Sequence, residues 1–182
     1  RQMCIRDREI LAEVARLISL TEHAPKIQFV FCGNGAGRAD LEAVCSNLTN
    51  VLFLDLQPLE RLSELLGLAD IHLLPQRADA ADLVMPSKLT GMMASGRAVV
   101  ATATMNTELG RVVAVDAECG VIVEPENAQA MKIAIVRLAD STNERVEFGL
   151  NGRAYAEQVL NKHKILKKFE NNLLDLIISN EK

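Results

Sequence analysis

Short apolar runs alternate with longer amphipathic segments along the chain. The runs are four to six residues long and rich in Val, Ile and Leu, and several end next to Gly, Asp or Pro. Such runs are typical of strands that are buried on both faces of a sheet. They predict strands at Ile27–Cys32, Val51–Leu54, Ile71–Leu74, Ala98–Thr102 and Gly120–Val123.

The segments between these runs repeat apolar residues every three or four positions, as helices do. Pro86 marks the start of one helix, since proline is tolerated in a first helical turn, and Gly96 marks its end. Strands that alternate with helices predict one Rossmann-like α/β domain, a parallel sheet with helices on both faces. The predicted helices are Glu9–Leu20, Arg38–Cys45, Leu59–Gly67, Pro86–Ser95, Thr107–Val113, Ala128–Leu138, Asn143–Leu160 and Ile165–Ile178.

Composition excludes several classes of protein. The 182 residues are 49% hydrophobic and 24% charged, which fits a globular domain. A net charge of −4 and an aromatic content of 3% argue against nucleic-acid binding. No apolar run approaches the roughly 20 residues of a membrane-spanning helix. Cys32, Cys45 and Cys119 lack metal-ligand spacing, and no secretion signal is visible, so we expect a cytoplasmic protein without a bound metal.

Residues 1–8, RQMCIRDR, match a translation of the mosaic-end adapter of transposon-based sequencing libraries. We therefore set these residues aside and expect the natural coding sequence to begin near Glu9. In this interpretation residues 9–182 are one domain that is truncated at its N-terminus. A natural first helical turn is the alternative.

Three stretches after predicted strands are candidate ligand sites, the third being Thr104–Gly110, because parallel sheets bind ligands at the carboxyl ends of their strands. Gly33 and Gly35 lie in a glycine-rich loop, and Asp55 lies where a dinucleotide fold places its ribose acid, but Arg38 stands in place of the third glycine. This loop is either a tight turn or a phosphate site. The sequence PSK places Ser87 and Lys88 in the first turn of a helix, where a phosphate could bind.

Other polar residues have simpler interpretations. An exposed lysine remains the alternative for Lys88, and Glu108 is either a helix cap or a ligand contact. We expect core positions for Leu89, Met92 and Met93. Structural roles are expected for His23, His72 and His163, which share no ligand spacing.

Five motifs in a fixed order carry a family resemblance. They are GNGAG, NVLFLDLQ, LADIHLLP, MPSKLTGMMASGRAVVAT and CGVIVEPEN. Together they resemble the C-terminal, nucleotide-sugar-binding domain of GT-B glycosyltransferases of family 4, the glycosyl transferases group 1. Within that family they are similar to the colanic-acid type of exopolysaccharide enzymes. The resemblance spans Ile10–Ile178.

The resemblance implies transfer of a sugar, usually with retention, from a nucleoside-diphosphate sugar to a polysaccharide or lipid-linked acceptor. No cofactor or metal is implied, and a GDP-linked sugar is one candidate donor. No catalytic residue is identified. The donor-binding residues that it implies are Ser87 and Lys88 at the diphosphate, Val84, Met85 and Pro86 at the sugar, Leu56 and Gln57 at the base, and Gly33 and Gly35 along the interdomain cleft.

The chain departs from the family pattern in two ways. Leu83 and Gly91 stand where many members have a pair of glutamates, and Asp79 or Asp82 is a candidate substitute for the first. The resemblance also implies that the first strand of this domain and the whole acceptor domain lie outside the 182 residues. We therefore expect this chain alone to be inactive and its last helices to expose an apolar interface. Contact of the intact protein with the membrane surface is expected through the other domain.

Three alternatives remain on sequence grounds. A nucleotide- or dinucleotide-binding Rossmann module would use the glycine loop and Asp55. A sugar-nucleotide epimerase would need an acid/base pair that this half of the protein does not offer. A structural domain without catalytic function would need none of these residues.

Overall fold

The computed structural model describes residues 3–76 and 85–180. Its five strands are β1 (Phe29–Cys32), β2 (Val51–Leu54), β3 (Ile71–Leu74), β4 (Ala98–Thr102) and β5 (Gly120–Val123). Its helices are α1 (Met3–Ser19), α2 (Arg38–Val44), α3 (Leu62–Leu68), α4 (Ser87–Ala94), α5 (Glu108–Arg111), α6 (Ala128–Asp140), α7 (Thr142–Gln158) and α8 (Lys162–Asn180).

The described strands form two parallel ladders. β1 pairs with β2, with Phe31 opposite Phe53, and the two rings stack at 5.4 Å between centroids. The second ladder has the order β3-β4-β5, with Leu73 opposite Val100 and Val100 opposite Val121. β4 is central in this ladder, and all five of its residues are buried. The parallel α/β class predicted from the apolar runs is confirmed.

Helices cover both faces of the β3-β4-β5 ladder. On one face α1 and α6 share a core with β1, β3 and β4, so one helical layer joins the two ladders. On the other face α4, α5 and α7 pack over Leu74, Val99 and Ala101. Leu89 and Met93, which we expected in the core, are each 1% exposed, and Met92 packs against the same cluster.

Each predicted helix differs from the structure at one or both bounds, and α1 begins at Met3 where Glu9 was predicted. Two predicted helices also differ in kind. The segment predicted as Thr107–Val113 is α5 followed by a wider π-helical turn, Val112–Asp116. The widening brings Val112, Val113 and Ala117 into the core together, with the amide of Ala117 donating to Val112 five residues earlier. The segment predicted as Leu59–Gly67 begins as a 3₁₀ turn, Leu59–Arg61, before α3.

The last helix exposes an apolar face, as predicted. Ile165, Leu166, Phe169, Leu173 and Leu174 of α8 are all exposed. The lysines near its start are exposed as well. No helix in residues 3–76 or 85–180 is long and apolar enough to cross a membrane.

Candidate functional site

The helix that follows β3 begins with a free N-terminus. Pro86 is its cap residue, with extended backbone (φ −63°, ψ 117°) and no side-chain capping bond, and the first turn contains no acidic residue. The first amides of a helix have no carbonyl partner within it, so they can bind an anion. Ser87 and Lys88 are both exposed at this end, while Leu89 in the same turn is buried and anchors the helix. This end of α4 is therefore a candidate anion site.

Gln76 and Met85 are the described residues on either side of positions 77–84. The Thr102 hydroxyl accepts from the amide of Gln76 (2.5 Å) and donates to its carbonyl (2.6 Å), which ties Gln76 to the end of β4. Met85 is partly buried and packs against the core cluster that includes Leu89. A part in sugar binding would therefore fall to the backbone of Met85. The positions of Val84, Leu83, Asp79 and Asp82 lie outside the described residues.

The glycine-rich loop after β1 is closed by Arg38. Gly33 has φ +130°, a conformation that favours glycine, and its amide donates to Leu54 O at the end of β2. Gly35 is exposed in the loop. Arg38 Nη1 lies within hydrogen-bond distance of four acceptors, which share its two hydrogens: Gly33 O (3.2 Å), Asn34 Oδ1 (2.6 Å), Leu54 O (3.1 Å) and Asp55 Oδ1 (2.8 Å).

Glu42 fixes the other side of the Arg38 guanidinium. Arg38 Nε donates to Glu42 Oε1 at 2.6 Å, one helical turn along α2, and this bond raises the pKa of Arg38 above its usual value. The sequence indicated Arg38 only as a departure from the dinucleotide pattern. The sequence did not reveal its role as the centre of the Arg38 cluster, whose other members are Gly33, Asn34, Glu42, Leu54 and Asp55. An Arg and a Glu four residues apart on a helix are nevertheless a signal of pairing.

The cluster bears on the dinucleotide alternative. The Asp55 carboxylate, which would hold a ribose, is bound by Arg38. Arg38 also stands at the position of the third glycine, which a dinucleotide fold needs for close packing of the helix on the strand. The dinucleotide-binding module is therefore not favoured.

The residues after Asp55 form the edge of the same region. Leu56 is 72% exposed, and Gln57 is half-buried and donates from Nε2 to Asp55 O at 3.0 Å. The thiol of Cys32 donates to the same carbonyl at 3.2 Å. The structure thus brings Gly33 together with the segment that contains Leu56 and Gln57, at the carboxyl ends of β1 and β2.

The structure also shows what caps α5 near Glu108 and how closely Gly91 is packed. Thr107 caps α5, its hydroxyl accepting from the amide of Gly110 at 3.0 Å, so the interpretation of Glu108 as the cap was wrong. A side-chain carbon on Gly91 would lie 3.4 Å from Leu66 Cδ1, an ordinary contact, so packing does not require glycine there.

The histidines lie apart from both candidate sites. His72 is buried, its Nε2 2.9 Å from Ser95 Oγ, and burial together with the Arg97 charge lowers its pKa. His23 pairs with Asp140 at 3.0 Å, and His163 is exposed. Within the described ranges no group of three or more His, Cys, Asp or Glu side chains could hold a metal.

Comparison with known proteins identifies the family. The family glycosyl transferases group 1 matches residues 8–141. WcaI, a proposed colanic acid biosynthesis glycosyl transferase of Escherichia coli, is 37% identical over 147 residues, which are 80% of this chain and 35% of WcaI. The chain thus spans about a third of that relative's length.

Solved structures share the fold. Anabaena HepE in complex with UDP-glucose has a TM-score of 0.71 at 18% identity, over 92% of this chain and 44% of that one. The C-terminal domain of a glycosyl transferase group 1 family protein, LpcC from Francisella tularensis, has a TM-score of 0.66 at 19% identity, over 89% of this chain and 82% of that domain. The chain belongs to the glycosyl transferases group 1 and has the fold of the C-terminal half of a GT-B glycosyltransferase.

Proposed function

We propose that the intact protein transfers a sugar from a nucleoside-diphosphate sugar to a saccharide or lipid-linked acceptor in exopolysaccharide biosynthesis. The 182 residues supply the half that binds the sugar donor. The observation that carries this proposal is the uncapped N-terminus of α4, with Ser87 and Lys88 exposed beside it, in a chain of this family. WcaI, a proposed glycosyl transferase, and HepE, solved with UDP-glucose, support the class of reaction and of donor.

The first turn of α4 would bind the diphosphate. Negative charge builds up on a nucleoside diphosphate as the bond to the sugar breaks, so fixed N–H groups and a nearby cation stabilise the transition state. The amides of Ser87 and Lys88 supply such N–H groups, and the Lys88 ammonium supplies the cation. The backbone from Val84 to Pro86 would lie against the sugar.

The cluster at the ends of β1 and β2 would border the rest of the donor. Leu56 offers an exposed apolar surface beside the base, and Gln57 offers a carboxamide. Gly33 and Gly35 would line the cleft towards the acceptor domain. Retention of anomeric configuration, the absence of a required metal and a GDP-linked sugar as one donor follow from the family resemblance.

The domain division is part of the proposal. Residues 9–182 are a donor domain that lacks its first strand, residues 1–8 derive from an adapter, and the acceptor is bound by a domain outside this chain. The chain alone should then bind a nucleotide without transferring sugar. A transfer assay of the 182-residue chain with UDP-glucose or a GDP-sugar should show no turnover, and measurable transfer would contradict the two-domain requirement.

Nucleotide binding tests the proposed site directly. We expect UDP, GDP or their sugars to raise the melting temperature of the chain, and NAD to leave it unchanged. Lys88→Ala should weaken nucleotide binding at least about tenfold, since a charge-assisted contact to phosphate contributes roughly 1.5–3 kcal/mol. Calorimetric titration measures this affinity.

Lys164→Ala is the matched control, because Lys164 is an exposed lysine on α8. It should bind nucleotide as the wild type does. Equal affinities for the Lys88 and Lys164 variants would remove Lys88 from the site. Stabilisation by NAD alone would overturn the proposed function.

A further inference from the structure

One guanidinium group joins the ends of two neighbouring strands. Arg38 donates to the last carbonyl of β2, Leu54 O, and to the carbonyl of Gly33, which directly follows β1. It also binds the side chains of the residues that follow, Asn34 and Asp55. Because these acceptors belong to two different loops, the cluster fixes one loop relative to the other.

We infer that Arg38 is a positioning residue that holds the segment Asp55–Gln57 in place for the base of the sugar donor. The inference rests on the proposed function, in which this segment borders the base. Arg38 itself is not placed in contact with the donor. It acts through Asp55 and the carbonyl of Leu54.

Asp55 is held on both its side chain and its backbone. Arg38 binds the carboxylate, while Cys32 Sγ and Gln57 Nε2 donate to the carbonyl oxygen. The side chain of Gln57 is therefore oriented by an atom whose position depends on Arg38. Loss of the guanidinium would release the carboxylate and leave Leu54 O without this donor, so the segment would sample other conformations.

The chemistry of arginine suits this position. Its planar group donates in several fixed directions, whereas a lysine ammonium is a point charge on a flexible stem. Glu42 binds Nε and so sets the orientation of the group, and the Arg38 side chain is only 24% exposed. An exposed ion pair alone would contribute little, so the backbone carbonyls are the important acceptors.

Arg38→Gln tests the inference, with Arg16→Gln as the matched control. Arg16 forms an exposed pair with Glu13 on α1, with two contacts of 2.7 and 2.8 Å, and makes no contact with either loop. Two quantities are measured on the 182-residue chain by NMR and calorimetry. They are the NMR order parameters of the backbone of residues 55–57, which fall when a segment becomes mobile, and the affinity for UDP and GDP.

We expect Arg38→Gln to lower the order parameters of residues 55–57 and to weaken nucleotide binding about tenfold, and Arg16→Gln to do neither. Arg38→Lys should lie between Arg38→Gln and the wild type, and it replaces Arg38→Gln if that variant does not fold. Wild-type order parameters and wild-type affinity in Arg38→Gln would overturn the inference. Wild-type behaviour of Arg38→Lys would overturn the role of the planar group.

Failure of the proposed function is distinguishable. If the wild-type chain binds neither nucleotide, the donor-binding role is rejected, and with it the purpose assigned to Arg38. The order parameters still report whether Arg38 holds the segment. Lower values confined to residues 55–57 support that part, and unchanged values overturn it.

Discussion

At the scale of single residues, burial decides which side chains are chemically available. His72 is buried on β3, and desolvation together with the charge of Arg97 lowers its pKa. Lys88, Ser87 and Leu56 are exposed, so they are free to meet a ligand. The same distinction separates the cysteines: Cys32 is exposed, and Cys45 and Cys119 are buried.

His72 should make the folded chain sensitive to acid. Unfolded histidine titrates near pH 6.5, whereas the folded side chain takes up its proton only at lower pH. Between these two pKa values the unfolded state binds more protons, so the free energy of unfolding falls as pH drops below about 6.5. Urea unfolding at several pH values should show a weaker dependence in His72→Gln than in the wild type. His163→Gln, at an exposed position, should retain the wild-type dependence, and equal slopes in all three proteins would contradict the prediction.

Cys32 should be the reactive thiol among the three whose environment is described. Burial raises the pKa of Cys119 to about 11 and also raises the pKa of Cys45, which keeps both thiols protonated at pH 8. In a Cys4→Ser background, a thiol reagent should label Cys32 rapidly in the folded chain and all three cysteines in urea. Mass spectrometry of the labelled peptides measures this. Rapid labelling of folded Cys119 would show that the buried core opens readily.

At the scale of elements, strands were easier to predict than the contacts between them. Four of the five predicted strands have the observed bounds, because strands buried in a parallel sheet are continuous apolar runs. The π-helical turn after Arg111 was not predicted, since it depends on how Val112 and Ala117 fit the core. The Arg38 cluster was also missed, because its acceptors at Gly33 and Leu54 are distant in sequence and meet only when β1 pairs with β2.

The close contact between α7 and the turn after α4 should depend on one glycine. A side-chain carbon on Gly149 would lie 2.2 Å from Gly96 O, closer than atoms can approach. Gly149→Ala should therefore lower the free energy of unfolding by about 2 kcal/mol or more, as overpacking does.

Gly67→Ala is the control for Gly149→Ala: Gly67 lies in α3 with nothing within 4 Å of the added carbon. That substitution should raise stability by about 0.5–1 kcal/mol. Urea midpoints measure both, and similar midpoints would refute the close contact.

At the scale of the whole molecule, two ladders lie under one helical layer. α1 and α6 bury residues against β1, β3 and β4 in a single core. Yet β1 pairs only with β2, and β3 only with β4, among the described residues. Unpaired edges inside an α/β domain are unusual, because parallel sheets are normally continuous and covered by helices.

The ladder geometry identifies the backbone groups at the two open edges. Phe29 and Gly33 donate to carbonyls of the β2 segment, so the alternate residues Val30 and Cys32 direct their amides away from β2. The amide of Val99 donates towards β5, so the amide of its neighbour Val100 points to β3. Leu73 lies opposite Val100 in the parallel register, and the amides of Ile71 and Leu73 therefore point away from β4. The open edges of β1 and β3 therefore each offer alternate amides to a further strand.

We predict that the strand expected before residue 9 pairs with both edges and joins the ladders into one sheet. A longer protein that also contains the residues encoded upstream of Glu9 should protect four amides from exchange, those of Val30, Cys32, Ile71 and Leu73. In the 182-residue chain these amides should exchange faster. Val30→Pro should then destabilise the longer protein more than this chain, because proline removes an amide that only the added strand would use. Equal exchange of these amides in both proteins would contradict the prediction. A start codon near Glu9 would contradict it as well, since no preceding strand would remain to pair with these edges.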